Sequence, residues 1–227
     1  MDSASSVYRH SLITRVTHAT FFFSFLALAV SGAQMYFHQH WIPLKVPVLH
    51  QYFGLAMLAG GGVYVGSGIV NGQFDKLLFN AEDAGGLWPM AAYYLRLRKD
   101  PPACGAYNPL QKLAYTLVLL LIAPLIAASG FALWKHSPLQ TPMAAIFGRK
   151  TASIWHIGFA LEMIGFFGGH MVMVAATGLR DNVRSIVTGW YRVPAPRTAV
   201  IRETVPTTAQ SRPASQLRPA PQTPASR

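Results

Sequence analysis

The sequence predicts an all-α integral membrane protein: a four-helix bundle with both termini cytoplasmic and a disordered C-terminal tail. Three observations carry that prediction. Of 227 residues, 52% are apolar and only 12% charged, where soluble domains carry about 25% charged residues. The apolar residues gather in four stretches, each near the ~20 residues that a helix needs to cross a bilayer core. The 19 Lys and Arg, which outnumber 8 Asp and Glu and set a net charge of +11, fall almost entirely between those stretches. That spacing excludes a nucleic-acid binder, in which basic residues share one face with groups that read bases or track phosphates.

The four spans run over about 16–36, 48–70, 112–134 and 154–177, within a membrane domain of residues 1–193. Their length argues for helices, because a membrane strand needs only about 9 to 11 alternating residues. For the first span a signal peptide is the competing reading, since Arg9 and Arg15 precede an apolar run that reaches Ser31, Gly32 and Ala33. The run continues past those small residues to Phe37, and a signal peptide has no use for a histidine inside its core. Orientation follows from Lys and Arg, which cluster on the cytoplasmic side: 15 fall on the side of the termini and 4 on the other. Two outer connections, about 37–47 and 135–153, are short. The inner one, 71–111, is predicted to hold a turn at Gly85 to Pro89 and a short amphipathic helix around Met90 to Lys99 in the headgroup layer. Pro124 should kink the third helix. Residues 194–227 are Pro, Thr, Ala, Gln, Ser and Arg with almost nothing apolar, and are predicted to be disordered.

Four of the eight histidines, His18, His50, His156 and His170, lie within or at the edges of the spans, where polar groups are expensive. Following the chain in and out of the membrane puts His18 and His170 near the inner surface, and His50 and His156 near the outer. His156 and His170 are 14 residues apart, so they share a helix face to within about 40° and are separated by about 21 Å along the axis. One helix can therefore ligate two cofactors stacked across the membrane. Each level offers one imidazole from each side of a flat group, the arrangement of a bis-histidine haem. Cys104 is the only cysteine, and no Cys-x-x-Cys-His motif exists for covalent attachment, which leaves two non-covalent haem b groups as the expected cofactors. Zinc or copper is the competing metal chemistry, but it gathers ligands at spacings such as i, i+4, and no two of these four are that close.

Small residues should line the rings. Gly32 lies 14 residues after His18, at the outer level, and Gly54 one turn after His50; Gly60, Gly61 and Gly62, and Gly158, Gly165, Gly168 and Gly169, repeat the theme, although small residues also serve plain helix packing. Arg9 and Arg15 on the inner side, and Lys135, Arg149 and Lys150 on the outer, are candidate partners for propionates. Glu162, the one carboxylate inside a span, lies about 120° from His156 around its helix and points away from the haems. His10, His38, His40 and His136 carry no assignment.

The motifs Arg15-x-x-His18 with Ser31-Gly32, Leu49-His50 followed by Phe53-Gly54, Tyr107-Asn108-x-x-Gln111-Lys112, and His156 with His170 resemble the di-haem cytochrome b membrane subunits of formate dehydrogenases, nickel-iron hydrogenases and thiosulfate-reductase-type molybdoenzymes. Tyr107 to Tyr115, Phe147-Gly148-Arg149 and Arg184-Ser185-x-x-Thr188-Gly189 look most like the thiosulfate-reductase-type branch. The resemblance covers about Tyr8 to Tyr191. It implies a bacterial inner-membrane subunit, itself without catalytic residues, linking a periplasmic-side molybdenum or iron–sulfur partner to membrane quinone. It also implies a quinone pocket bordered by His170, Asn108 and Gln111, although Leu110 stands where formate dehydrogenase subunits carry glycine. An oligomer of the whole complex is compatible with it. Two other readings use the same residues: a haem-free transporter or proton channel relaying through histidines and Glu162, and a ferric or superoxide reductase acting alone.

Overall fold

The computed structural model describes residues 5–193 apart from Ala106 and Arg149. The predicted disordered tail, 194–227, and the candidate propionate partner Arg149 lie outside the described residues. Four helical segments are long and apolar enough to cross a membrane. The first is α1 (Leu12–Tyr36) and the second α2 (Val46–Val70). The third combines α5 (Pro109–Leu117), a π turn at Val118–Ile122 and α6 (Ala123–Leu133). The fourth is α8 (Ala152–Ala176).

Each span starts two to four residues earlier than hydropathy placed it, and in three of them a capping side chain or an early proline initiates the helix before the apolar run begins. Ser11 caps α1, its Oγ accepting from the Thr14 N–H at 3.2 Å. Asn108 and Gln111 form a reciprocal capping box at the start of α5, at 2.9 and 3.0 Å. Pro124 produces a π turn directly before it: having no N–H, proline leaves the carbonyl of Leu120 unmatched, and the extra residue per turn relieves the clash.

The packing is that of a membrane bundle. Large apolar side chains face outward, Phe23 being 65% exposed, whereas the largest fully buried side chains among the described residues are Ser31, Ser129 and Ser185. Lipid takes the place of a dry apolar core, and small residues let the backbones approach. α1 packs along α2, α6 packs on α7 (Gln140–Phe147) and α8, and α9 (Leu179–Thr188) touches α8 and α1. Between the two helix pairs, Phe25 stacks on Phe167 at 4.5 Å, one turn along α8 from His170 and on the side toward His156.

The inner connection corrects the sequence expectation. Gly85 to Pro89 is not a turn but lies within α4 (Ala84–Tyr94), which ends five residues short of Lys99. Asn80 and Asp83 form a second capping box and start the helix upstream of the glycines. Gly86 lets α4 lie against α5, since a Cβ there would sit 2.6 Å from Pro109 Cγ. Arg96, with φ of 60°, ends the segment. Trp88 is exposed as expected, while the Tyr94 hydroxyl turns inward to accept from Asn108 Nδ2 at 3.0 Å.

Lys112 on α5 reaches back to Asp83 at 2.9 Å. That hydrogen bond holds the Asp83 carboxyl below its usual value of 3.8. A depressed carboxyl contributes stability above its unfolded pKa and loses it as pH falls through the folded one. The tie between α4 and α5 is therefore expected to be intact at neutral pH and to weaken below about 3.8. Asp83→Asn should remove that acid-side loss, checked by thermal unfolding in detergent from pH 7 to pH 3.

Two short strands were not foreseen. β1 (Ser5–Tyr8) pairs antiparallel with β2 (Trp190–Val193), in register Tyr8 to Trp190 and Val7 to Tyr191, so both ends of the membrane domain meet on one side. Gly189, φ 89°, makes the turn from α9 into β2, and a Cβ there would lie 2.7 Å from the Tyr8 ring. Arg9 sits 4.8 Å over the Tyr191 ring, which ties this candidate propionate partner into the terminal hairpin. His38 and His136 occupy left-handed positions just after α1 and α6, where they terminate helices.

Candidate haem sites

The structure brings the four intramembrane histidines together as two facing pairs. His18 on α1 and His170 on α8 have ring centres 6.3 Å apart, with ring planes inclined at 50°. His50 on α2 and His156 on α8 are 6.1 Å apart, inclined at 70°. Depth follows directly from helix register: His18 is six residues from the start of α1 and His170 six from the end of α8, while His50 and His156 are each four residues from the starts of α2 and α8.

These separations test which group the pairs fit. Two metal–imidazole bonds of about 2 Å, with half the width of each ring added, put the ring centres about 6 Å apart when one metal ion lies between them. Both pairs match. No group of three or more His, Cys, Asp or Glu that could hold a metal ion occurs among the described residues, so the protein offers each metal two ligands. A metal in a macrocycle needs two axial ligands and no more, which favours haem over zinc or copper.

The outer pair is held by hydrogen bonds to the neighbouring helices. The Ser31 hydroxyl donates to the Ala27 carbonyl at 2.6 Å, and its oxygen lies 2.8 Å from His50 Nδ1. With the serine proton used, the oxygen accepts from Nδ1–H. His156 Nδ1 is 3.0 Å from the Ile126 carbonyl, which can only accept, and 3.2 Å from Ser129 Oγ, whose proton goes to Leu125. Both rings thus carry their hydrogen on Nδ1, leaving the Nε2 lone pair to bind metal. Glycines next to the serines make room: a Cβ on Gly32 would meet His50 Cε1 at 3.4 Å, and one on Gly130 would meet His156 Cε1 at 3.1 Å.

Ser129 and Gly130 are functional positions that sequence reasoning missed. The signal was present, because Ser31-Gly32 recurs as Ser129-Gly130 near the outer end of another span. Gly32 stands at the predicted outer level, but it faces the imidazole of His50. Around Gly54, no atom of another segment lies within 4 Å of where a Cβ would be. That open position beside His50 admits a planar group.

The inner pair differs. Phe166 stacks against His170, with centres 6.3 Å apart and planes at 17°. Arg15, one turn inward of His18, donates to the Val187 carbonyl on α9, while its Nε is buried without an acceptor among the described residues; so is Nη1 of Arg184. Orphaned guanidinium donors call for an anion, and haem propionates are the anions expected here. The proposed quinone contacts Asn108 and Gln111 are occupied locally: Asn108 uses both side-chain polar atoms, and Gln111 uses its oxygen, in capping and in the bond to Tyr94. Glu162 lies on the exposed side of α8, away from both pairs.

A helical membrane bundle that presents paired imidazoles at metal-bridging separation defines a b-type cytochrome. The profile of the prokaryotic cytochrome b561 family matches residues 9–189, and the chain belongs to that family. It is a multi-pass protein of the bacterial inner membrane that binds haem b and takes part in electron transfer. No curated protein gives a significant match.

The bound iron supplies a reversible one-electron couple; the chain supplies what surrounds it. His18 with His170, and His50 with His156, would hold the iron from both faces. Ser31, Ser129 and the Ile126 carbonyl orient the outer imidazoles. Phe25 and Phe167 fill the space between the two levels.

Proposed function

We propose that the protein is a membrane-anchoring di-haem electron-transfer subunit, carrying electrons between a periplasmic-side molybdenum or iron–sulfur partner and the membrane quinone pool. The single observation behind it is the pair of facing histidine sites at two depths along α8. Two redox centres about 21 Å apart along one helix divide the bilayer into short electron steps. In this reading the quinone end belongs at the inner pair. There an aromatic run leads from His170 through Phe166 and Tyr115, 6.2 Å apart, to Tyr107, a further 5.7 Å away and partly exposed. Asn108 and Gln111 border that run, and their capping box fixes the start of α5 beside it.

Purified protein is expected to show a b-type haem signal in a reduced-minus-oxidised spectrum, with a haem-to-protein ratio near two and reduction by a quinol such as duroquinol. A ratio near one reduces the reading to a single-haem cytochrome. Full haem content without quinol reduction removes the quinone and keeps the electron wire.

A further inference from the structure

The two histidine pairs differ in what holds them, and the difference has a direction. At the outer pair both Nδ1–H groups have acceptors: Ser31 Oγ at 2.8 Å, and the Ile126 carbonyl at 3.0 Å with Ser129 Oγ at 3.2 Å. At the inner pair, His18 and His170 have no such hydrogen bond among the described residues, and Arg15, half-buried with its Nε out of reach of solvent, stands one turn from His18. An acceptor on the far ring nitrogen makes an imidazole a stronger donor to its metal, which favours ferric over ferrous iron. A nearby cation partly shielded from water acts oppositely, favouring the added electron. Among the described residues, the outer cations Lys45, Lys135 and Lys150 are exposed and screened by water and salt.

We propose that Ser31, a positioning residue acting through His50, together with Ser129 and the Ile126 carbonyl, sets the outer iron at a lower reduction potential than the inner iron. Electron transfer from the outer site to the inner is thereby made downhill. The step balances simply: the iron between His50 and His156 goes from ferrous to ferric, the iron between His18 and His170 from ferric to ferrous, and no bond or proton changes. The inference rests on the di-haem reading above and adds to it a direction across the membrane.

Ser31 and Ser129 are placed alike. Each is 0% exposed, each donates to the carbonyl four residues back, and each precedes a glycine against which its histidine packs. Serine in a helix gains little from bonding its own backbone. What that bond achieves here is to spend the hydroxyl proton and leave an oxygen that can only accept.

Optical redox titration of the full-length, detergent-purified holoprotein tests this. The unmodified protein is expected to show two separate one-electron transitions. Ser31→Ala should raise the lower one by about tenfold in the ferrous/ferric ratio, equivalent to 59 mV, and leave the higher one in place. Ser24→Ala is the control, since it removes another buried α1 hydroxyl about 10 Å away along the helix; it should move neither. Ser31→Ala leaving both transitions unmoved, moving the higher one, or matching Ser24→Ala would overturn the role of the serine while two transitions keep the di-haem reading standing. A single transition at a haem-to-protein ratio near two would overturn this inference and leave the di-haem reading standing, whereas a ratio near one would overturn both.

Discussion

His156→Ala and His50→Ala are each expected to release one haem and keep the other, so that haem content falls by half while the protein still inserts in the membrane. The two substitutions should give the same spectrum, because each removes one imidazole of the same facing pair. His170→Ala and His18→Ala should form a second matching set with the complementary haem retained. The expected loss is large because the chain provides each metal with two imidazoles and no reserve carboxylate or thiolate: the one carboxylate within a span, Glu162, is on the exposed side of α8, and Cys104 is exposed in a loop. Pyridine haemochrome content of the purified variants measures this. Loss of both haems from every variant, with the bundle still folded, would mean that the two sites do not form separately.

Gly130→Val should imitate the loss of His156 without touching a ligand. The Cβ alone would approach His156 Cε1 to 3.1 Å, and two further methyl groups leave the imidazole no room beside α6. The ring must swing, which breaks its bond to the Ile126 carbonyl and moves Nε2 away from the metal. Gly32→Ala is the comparison: its Cβ would meet His50 Cε1 at 3.4 Å, an ordinary van der Waals contact, so the outer haem should be retained. Haem content of the two variants side by side checks both expectations. A full complement of haem in Gly130→Val would show that α6 and α8 can separate enough to absorb a valine.

Much of the architecture was legible because a bilayer imposes one-dimensional constraints. A span must be apolar for about 20 residues, so four such stretches announced four helices. A histidine within one is conspicuous, and its depth follows from counting residues. The 14-residue spacing of His156 and His170 needs only the pitch of a helix to become two levels on one face. Helix beginnings were less legible, because hydropathy says nothing of caps; Ser11, Asn80 and Asn108 moved starts upstream of the apolar runs. The run from Gly85 to Pro89 was misjudged for a related reason. Its glycines suggest a turn in isolation, but Gly86 is a contact surface for Pro109, and that contact appears only once α4 and α5 are packed.

The outer connection concealed α7, whose Ala144 is buried in a cluster with Ala132 and Ala152. The strands β1 and β2 were equally invisible, since they pair residues more than 180 positions apart and neither four-residue segment signals a strand alone.

The sequence by itself determined the four spans and the paired levels of His18 with His170 and His50 with His156, because each depends on length or register along one chain. Only the tertiary structure decided how the two pairs differ. Ser129 and the Ile126 carbonyl reach His156 from another helix, as Ser31 reaches His50, and such hydrogen bonds depend on the approach of two backbones to within a few ångströms. That approach follows from which small residues face each other across a helix pair, a property of the packed bundle and not of any single span.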